Sequence, residues 1–149
     1  MSQFEERFFE TDDGLTLYCR DYAAPTPSAA TVVCLHGLSR NSRDFQDLAP
    51  ILNQHFRVLV PEQRGRGRSD YDTVPSRYNL MQYVHDTYAM LVAFQCDSVS
   101  VVGTSMGGLM TFALNALHPH LIHRAVINDI GPDIAAAGLE RIQSYVGVA

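Results

Sequence analysis

Apolar positions along this chain alternate between short continuous runs and helical spacings. Thr31-Val32-Val33-Cys34-Leu35, Phe56-Arg57-Val58-Leu59-Val60, Val99-Ser100-Val101-Val102 and Ala125-Val126-Ile127 read as strands. Continuous apolar runs of this length are what a parallel sheet covered on both faces requires. Between them, Phe45, Leu48, Ile51 and Leu52 mark one face of a helix over about 43–54, with Ser42 as its cap. Leu80, Tyr83, Val84, Thr87, Leu91 and Phe94 mark the buried face of a second helix over about 79–94. A third begins near Leu109 and ends near His118-Pro119, because proline disfavours helix in the residue before it. The chain opens differently, with strands over 3–10 and 15–22 joined by a hairpin turn at Asp12-Asp13-Gly14. A hairpin followed by alternating strands and helices predicts an α/β fold with a mostly parallel, doubly wound sheet.

Composition narrows the functional classes. The chain has 149 residues, 46% of them apolar, enough for one domain with a real core. A formal charge of -5 gives no reason to expect nucleic acid or an anionic membrane as a partner. Arg64, Arg66 and Arg68 form a local basic run interrupted by glycines, which reads as a solvated turn in the long polar loop over 61–75. Cys19, Cys34 and Cys96 are an odd count without metal-ligand spacing, so no metal is expected. Two of them lie in apolar runs, where a free cysteine behaves as a small buried hydrophobe, and a reducing, cytoplasmic setting is expected. The first residues are too charged for a signal peptide, and no apolar run is long enough to span a bilayer.

The chemistry concentrates where the run 99–102 enters Gly103-Thr104-Ser105-Met106-Gly107 and a helical stretch follows. A serine hydroxyl is a weak nucleophile and must be presented bare to a base. A sharp strand-to-helix turn lifts Ser105 Oγ clear of the sheet, with glycines at 103 and 107 to avoid collisions. The helix that starts there aims amide N–H groups at a developing oxyanion. The bland alternative is a glycine-rich connection in which Ser105 merely caps the helix.

Taken together, these stretches resemble the α/β-hydrolase superfamily, in particular its lipase- and esterase-like members with a cap. His36-Gly37 after the third strand resembles the family's oxyanion loop. Gln63-Arg64-Gly65-Arg66-Gly67-Arg68-Ser69 resembles its D-x-R-G-x-G-x-S loop, with Glu62 standing where the family has Asp. Gly103 to Gly107 resembles its nucleophile elbow, and Asn128-Asp129-Ile130-Gly131-Pro132 the exit from its sixth strand. The resemblance implies Ser105 as nucleophile, the backbone N–H groups of Leu38 and Met106 as the oxyanion hole, and no cofactor. It makes His36 a structural support of the oxyanion loop. Asp129 stands where some members place their acid, and it reads equally as a turn residue ordering Gly131-Pro132. Phe45, Met106 and Ile130 become candidates for an apolar pocket lining.

One departure from the family matters. Its triad histidine follows a later strand, which this sequence lacks. His118, His120 and His123 cluster at the far end of the elbow helix and read as surface residues. Nothing argues for His55 or His85. The chain therefore reads as residues 1–132 of a hydrolase core, truncated after about six strands, and 133–149 as the start of a cap segment. The last strand would be an open apolar edge, to be completed by a missing C-terminal half or a complementing chain. The leading function is a serine hydrolase acting on a small ester, lactone or related carbonyl substrate, inactive in this portion alone. The alternative is an inactive truncated fold serving as a binding or interaction module. Nucleotide binding is a weak third reading, since Gly65-Arg66-Gly67-Arg68-Ser69-Asp70 lacks the last glycine and the helix.

Overall fold

The computed structural model describes residues 3–128. The strands are β1 (Glu5–Glu10), β2 (Thr16–Tyr22), β3 (Thr31–Leu35), β4 (Arg57–Pro61), β5 (Val99–Thr104) and β6 (Ile122–Asn128). The helices are α1 (Leu48–Leu52), α2 (Leu80–Ala93) and α3 (Met106–Leu117), with short 3-10 turns at Ser42–Phe45 and Pro75–Arg77. One sheet contains all six strands in the order β1-β2-β4-β3-β5-β6. The first three in that order pair antiparallel and the rest parallel, so β3, β4, β5 and β6 all end at one edge. The sheet has the doubly wound, mostly parallel form expected from the apolar pattern.

Period-2 alternation splits each inner strand between two cores. Val33, Leu35, Leu59, Val99 and Val101 face Leu80, Tyr83, Leu91, Leu109 and Leu114 of α2 and α3. Val32, Cys34, Val58 and Val60 face Phe45 and Ala49. Cys19 and Cys34 are fully buried, and burial pushes the Cys34 thiol up to about 12, so it stays protonated and inert. All six residues assigned to the inner face of this helix are buried, five within α2 and Phe94 at its C-cap, and Asn79 caps its start by accepting from Gln82 N at 2.9 Å.

Four expectations need correction. The single helix over 43–54 is instead a 3-10 turn followed by the short α1, because Pro50 has no N–H and fits only in a first turn. Asn41 caps that turn, Ser42 being engaged elsewhere, and Leu48 and Ile51 are exposed while Ala49 is buried. Arg64 is not solvated but wholly buried, among carboxylates that the fold brings from distant positions. Leu48 and Ile51 stand outside the inner face assigned to them; of the candidates for a pocket lining, Phe45 and Met106 are buried in the core, and Ile130 lies outside the described residues.

β6 is an edge strand, pairing only with β5 among the described residues. Val126 is 62% exposed there. An apolar groove of about 400 Å³ runs beside it across the sheet, lined by Val32, Leu52, Phe56, Val102 and Val126. The expected helical tail through Ile134, Leu139 and Ile142, and the boundary at 132/133, lie outside the described residues. No helix among those described is long and apolar enough to cross a membrane.

Candidate active site

The elbow is built by close approach. β5 carries no side chain at Gly103, where a Cβ would lie 2.5 Å from Gly107 O. At Gly107 a Cβ would lie 2.2 Å from Leu35 O. Contacts this short are not found for real Cβ atoms, so helix α3 can start against the end of β3 only because both positions are glycine. The turn itself forces Ser105 to φ 53, ψ -111, a region that L side chains rarely occupy. Ser105 N donates to Asn128 O at 2.9 Å, tying the turn to the end of β6. The Ser105 side chain makes no capping hydrogen bond and is exposed, which rules out the capping alternative.

The amides of Gly108 and Leu109 return to Ser105 O at 2.9 and 3.2 Å. Those of Met106 and Gly107 precede them and have no carbonyl partner within the helix, as at any helix N-terminus. The Met106 side chain is buried beneath α3, so only its backbone is available to chemistry.

The His36–Arg40 loop stands next to Ser105. A methyl group at Gly37 would sit 3.9 Å from Ser105 Cβ. The Gly37 carbonyl oxygen accepts from His36 Nδ1–H at 2.7 Å and from Arg40 N–H at 3.2 Å. Because the peptide is planar and trans, holding that oxygen fixes the Leu38 N–H on the opposite side. His36 Nε2 accepts from Gln63 N–H at 3.1 Å, so both ring nitrogens are committed and the tautomer is set. Burial holds its pKa below the ordinary value of 6.5, keeping the ring neutral. His36 is a support, as the sequence suggested.

Behind this loop lies a polar network that sequence reasoning missed. The Glu62 carboxylate accepts from Ser42 N and Ser42 Oγ at 3.1 and 2.9 Å and from Arg68 N at 2.8 Å. Arg64 donates to Asp72 at 2.6 Å, to Asp86 at 2.7 and 2.8 Å, and to Asp13 at 2.8 Å. Hydrogen bonding by Arg64 lowers the Asp13 carboxyl to about 2, and the bond from Arg77 lowers that of Asp72. Burial opposes the Arg64 charge, but its bonds to Asp86 and Asp13 outweigh it and raise its pKa. Arg66 Nε donates to Leu38 O and its Nη1 to Arg64 O, each at 2.9 Å, with the guanidinium 4.6 Å from the Tyr83 ring centroid. The arginine–glycine spacing pointed to this loop, but no local signal names Asp13 or Asp86 as partners.

None of the six histidines is placed to serve Ser105. His36 is committed, and His85 pairs with Asp12 at 2.9 Å on the surface of α2. His55 lies just before β4, at the opposite edge of the sheet. His118 follows the last turn of α3 and stacks on Tyr88 at 3.7 Å. Twelve residues of helix put it roughly 18 Å from the elbow. His123 lies five residues back along β6 from Asn128, roughly 17 Å at strand spacing. His120 lies just before β6 at the same end. Asp129 lies outside the described residues. Among those described, no group of acidic, histidine and cysteine side chains could hold a metal ion.

A model of the alpha/beta hydrolase fold matches residues 30–145. The chain is 38% identical over 117 residues to a 3-hydroxybutyrate-oligomer hydrolase of Cupriavidus necator, covering 78% of this chain and 40% of that protein. It is 33% identical over 98 residues to a serine hydrolase-like protein of Danio rerio, covering 66% of this chain and 30% of that one. The crystal structure of an alpha/beta hydrolase from Novosphingobium aromaticivorans superimposes with a TM-score of 0.85 at 45% identity. That match covers 99% of this chain and 52% of the other. The chain thus spans about a third to a half of the length of these relatives.

Proposed function

The chain belongs to the alpha/beta hydrolase fold family, and from that premise we propose that it is the nucleophile-bearing part of a serine hydrolase. The observation that carries this is Ser105: exposed, held at φ 53 without a capping bond, and flanked by two glycines that admit no Cβ. A binding module has no physical need for a strained, uncapped serine, since strain of this kind costs about 1–3 kcal/mol.

In this reading Ser105 Oγ attacks the carbonyl carbon of a small ester, lactone or related substrate. The oxyanion that forms accepts from Leu38 N–H and Met106 N–H, each such donor contributing about 3 kcal/mol in the transition state. A general base takes the Ser105 hydroxyl proton during attack and returns it to the departing alkoxide as the C–O bond breaks. Water, activated by the same base, then hydrolyses the acyl-enzyme and restores the serine. A relative named for hydroxybutyrate oligomers supports the ester class for this chain. The base is a histidine outside this sequence, because the six within it are committed or distant. It arrives with strands that pair along β6 and cover the groove at Val102 and Val126, from the same polypeptide or a complementing chain. Asp129, next in sequence after Asn128, remains the proposed acid.

Ester turnover by the polypeptide as its natural source makes it, lost in Ser105→Ala, tests the assignment; turnover that survives this change removes it. Intact mass tests the completion of the sheet. A mass well above 16.6 kDa places the base in the same chain, whereas 16.6 kDa directs the search to a complementing one.

A further inference from the structure

We propose that Arg66 is a positioning residue for the oxyanion loop, clamping it from the carbonyl side of Leu38; this rests on the serine-hydrolase reading above. Gly37 O and Arg40 N close a four-residue turn whose central peptide joins Leu38 to Ser39. The central peptide is the unit that flips between turn types, carrying the backbone angles of its two residues with it. His36 holds the peptide before Leu38, through Gly37 O, but nothing in that contact restrains the peptide after it. Leu38 is 38% exposed, so packing does not hold it either. Arg66 supplies the missing restraint by donating from Nε to Leu38 O at 2.9 Å.

The clamp is itself anchored. Arg66 Nη1 is fixed on Arg64 O, and its guanidinium plane lies over the buried Tyr83 ring of α2. Arg64 is immobilised by three carboxylates from the β1–β2 turn, the loop after β4 and α2. A planar fork with two neighbouring donors suits this task, and lysine cannot reproduce it. The role of Arg66 is visible only from where its donors end.

The test compares Arg66→Met, which keeps the stem on Tyr83 but removes both donors, with Arg66→Lys, which keeps the charge and one donor. The probes are a p-nitrophenyl ester for turnover and a trifluoromethyl ketone, whose adduct with serine carries the oxyanion. Misplacing a catalytic group by about 1 Å can cost on the order of 100-fold. Arg66→Met is therefore expected to lower kcat by about 10-fold or more, to change KM by less than about 2-fold, and to weaken the ketone in step with kcat. Arg66→Lys is expected to recover part of both. If Arg66→Met does not fold by near-ultraviolet circular dichroism, Arg66→Lys is read alone against the same split. Unchanged kcat and ketone affinity overturn the proposal, as does a rise in KM alone, which would make Arg66 a substrate contact. Both probes are applied to the completed protein, this chain together with the segment that supplies the base. Failure of the underlying reading is separate: ester turnover that persists in Ser105→Ala, or a completed wild type silent to both probes, removes the hydrolase assignment and the clamp with it.

Discussion

Two segments at the same edge of the sheet are held in opposite ways. The turn from Gly103 to Gly107 is held by backbone close approach, with no side-chain bond from Ser105 and with strain at its centre. The loop from Glu62 to Asp72 is held by side chains: a buried carboxylate accepting three bonds, and a buried guanidinium facing three carboxylates. The first leaves a nucleophile bare because backbone contact at its two glycines, not a bond to the serine, holds the turn. The second locks a long polar loop so that Gln63 N and Arg66 can brace the loop beside Ser105. Steric fit tolerates no added atom, whereas a charge network tolerates no missing one.

The sharpest way to break this contrast is Gly107→Ala. Its methyl group would meet Leu35 O at 2.2 Å, backbone against backbone, so neither partner can give way. A loss above about 4 kcal/mol, or failure to fold, is expected from urea denaturation. A variant as stable as wild type would mean that α3 does not start against β3. Next comes Arg64→Met, which leaves Asp86 buried without its cation and Asp72 with Arg77 alone; about 3–5 kcal/mol should be lost. A loss below about 1 kcal/mol would show that the carboxylates find other partners or protons.

A smaller effect of opposite sign is expected at the strained centre. Ser105→Gly should raise stability by about 1 kcal/mol or more while abolishing ester turnover, because glycine accepts φ 53 freely. No gain would mean that the turn is unstrained. The mildest test is pH. His36 has a folded pKa below its ordinary 6.5, so the unfolded chain binds the proton better. Its contribution is complete above about 6.5 and is lost as pH falls through the depressed value. Asp13 follows the same sign lower down, losing its contribution from 3.8 towards about 2. Stability should therefore decline in two steps on acidification. His36→Gln should flatten the upper step alone, and an unchanged upper step would exclude His36 as its source.

Much of this was legible because local rules and the fold agree. Val32–Leu35 is apolar on both sides and lies in a sheet with two covered faces. Asn79 and His118-Pro119 stand just outside the two ends they were expected to mark, the start of α2 and the end of α3. Gly103-x-Ser105-x-Gly107 lies in the strand-to-helix setting it demands. Where local reading failed, long-range partners had overruled it. Ser42 left its capping role for Glu62, twenty residues on, and Pro50 divided the helix it was placed in. Arg64 looked like a solvated turn residue because Asp13 lies 51 positions away.

The sequence by itself determined the strand and helix order and the elbow with its glycines. These depend on backbone periodicity and on the size of single side chains, which are local properties. Only the tertiary structure decided that Arg64 is buried and that Arg66 reaches Leu38 O. Both are set by which distant segments meet, and chain closure over some fifty residues leaves no mark on the residues in between.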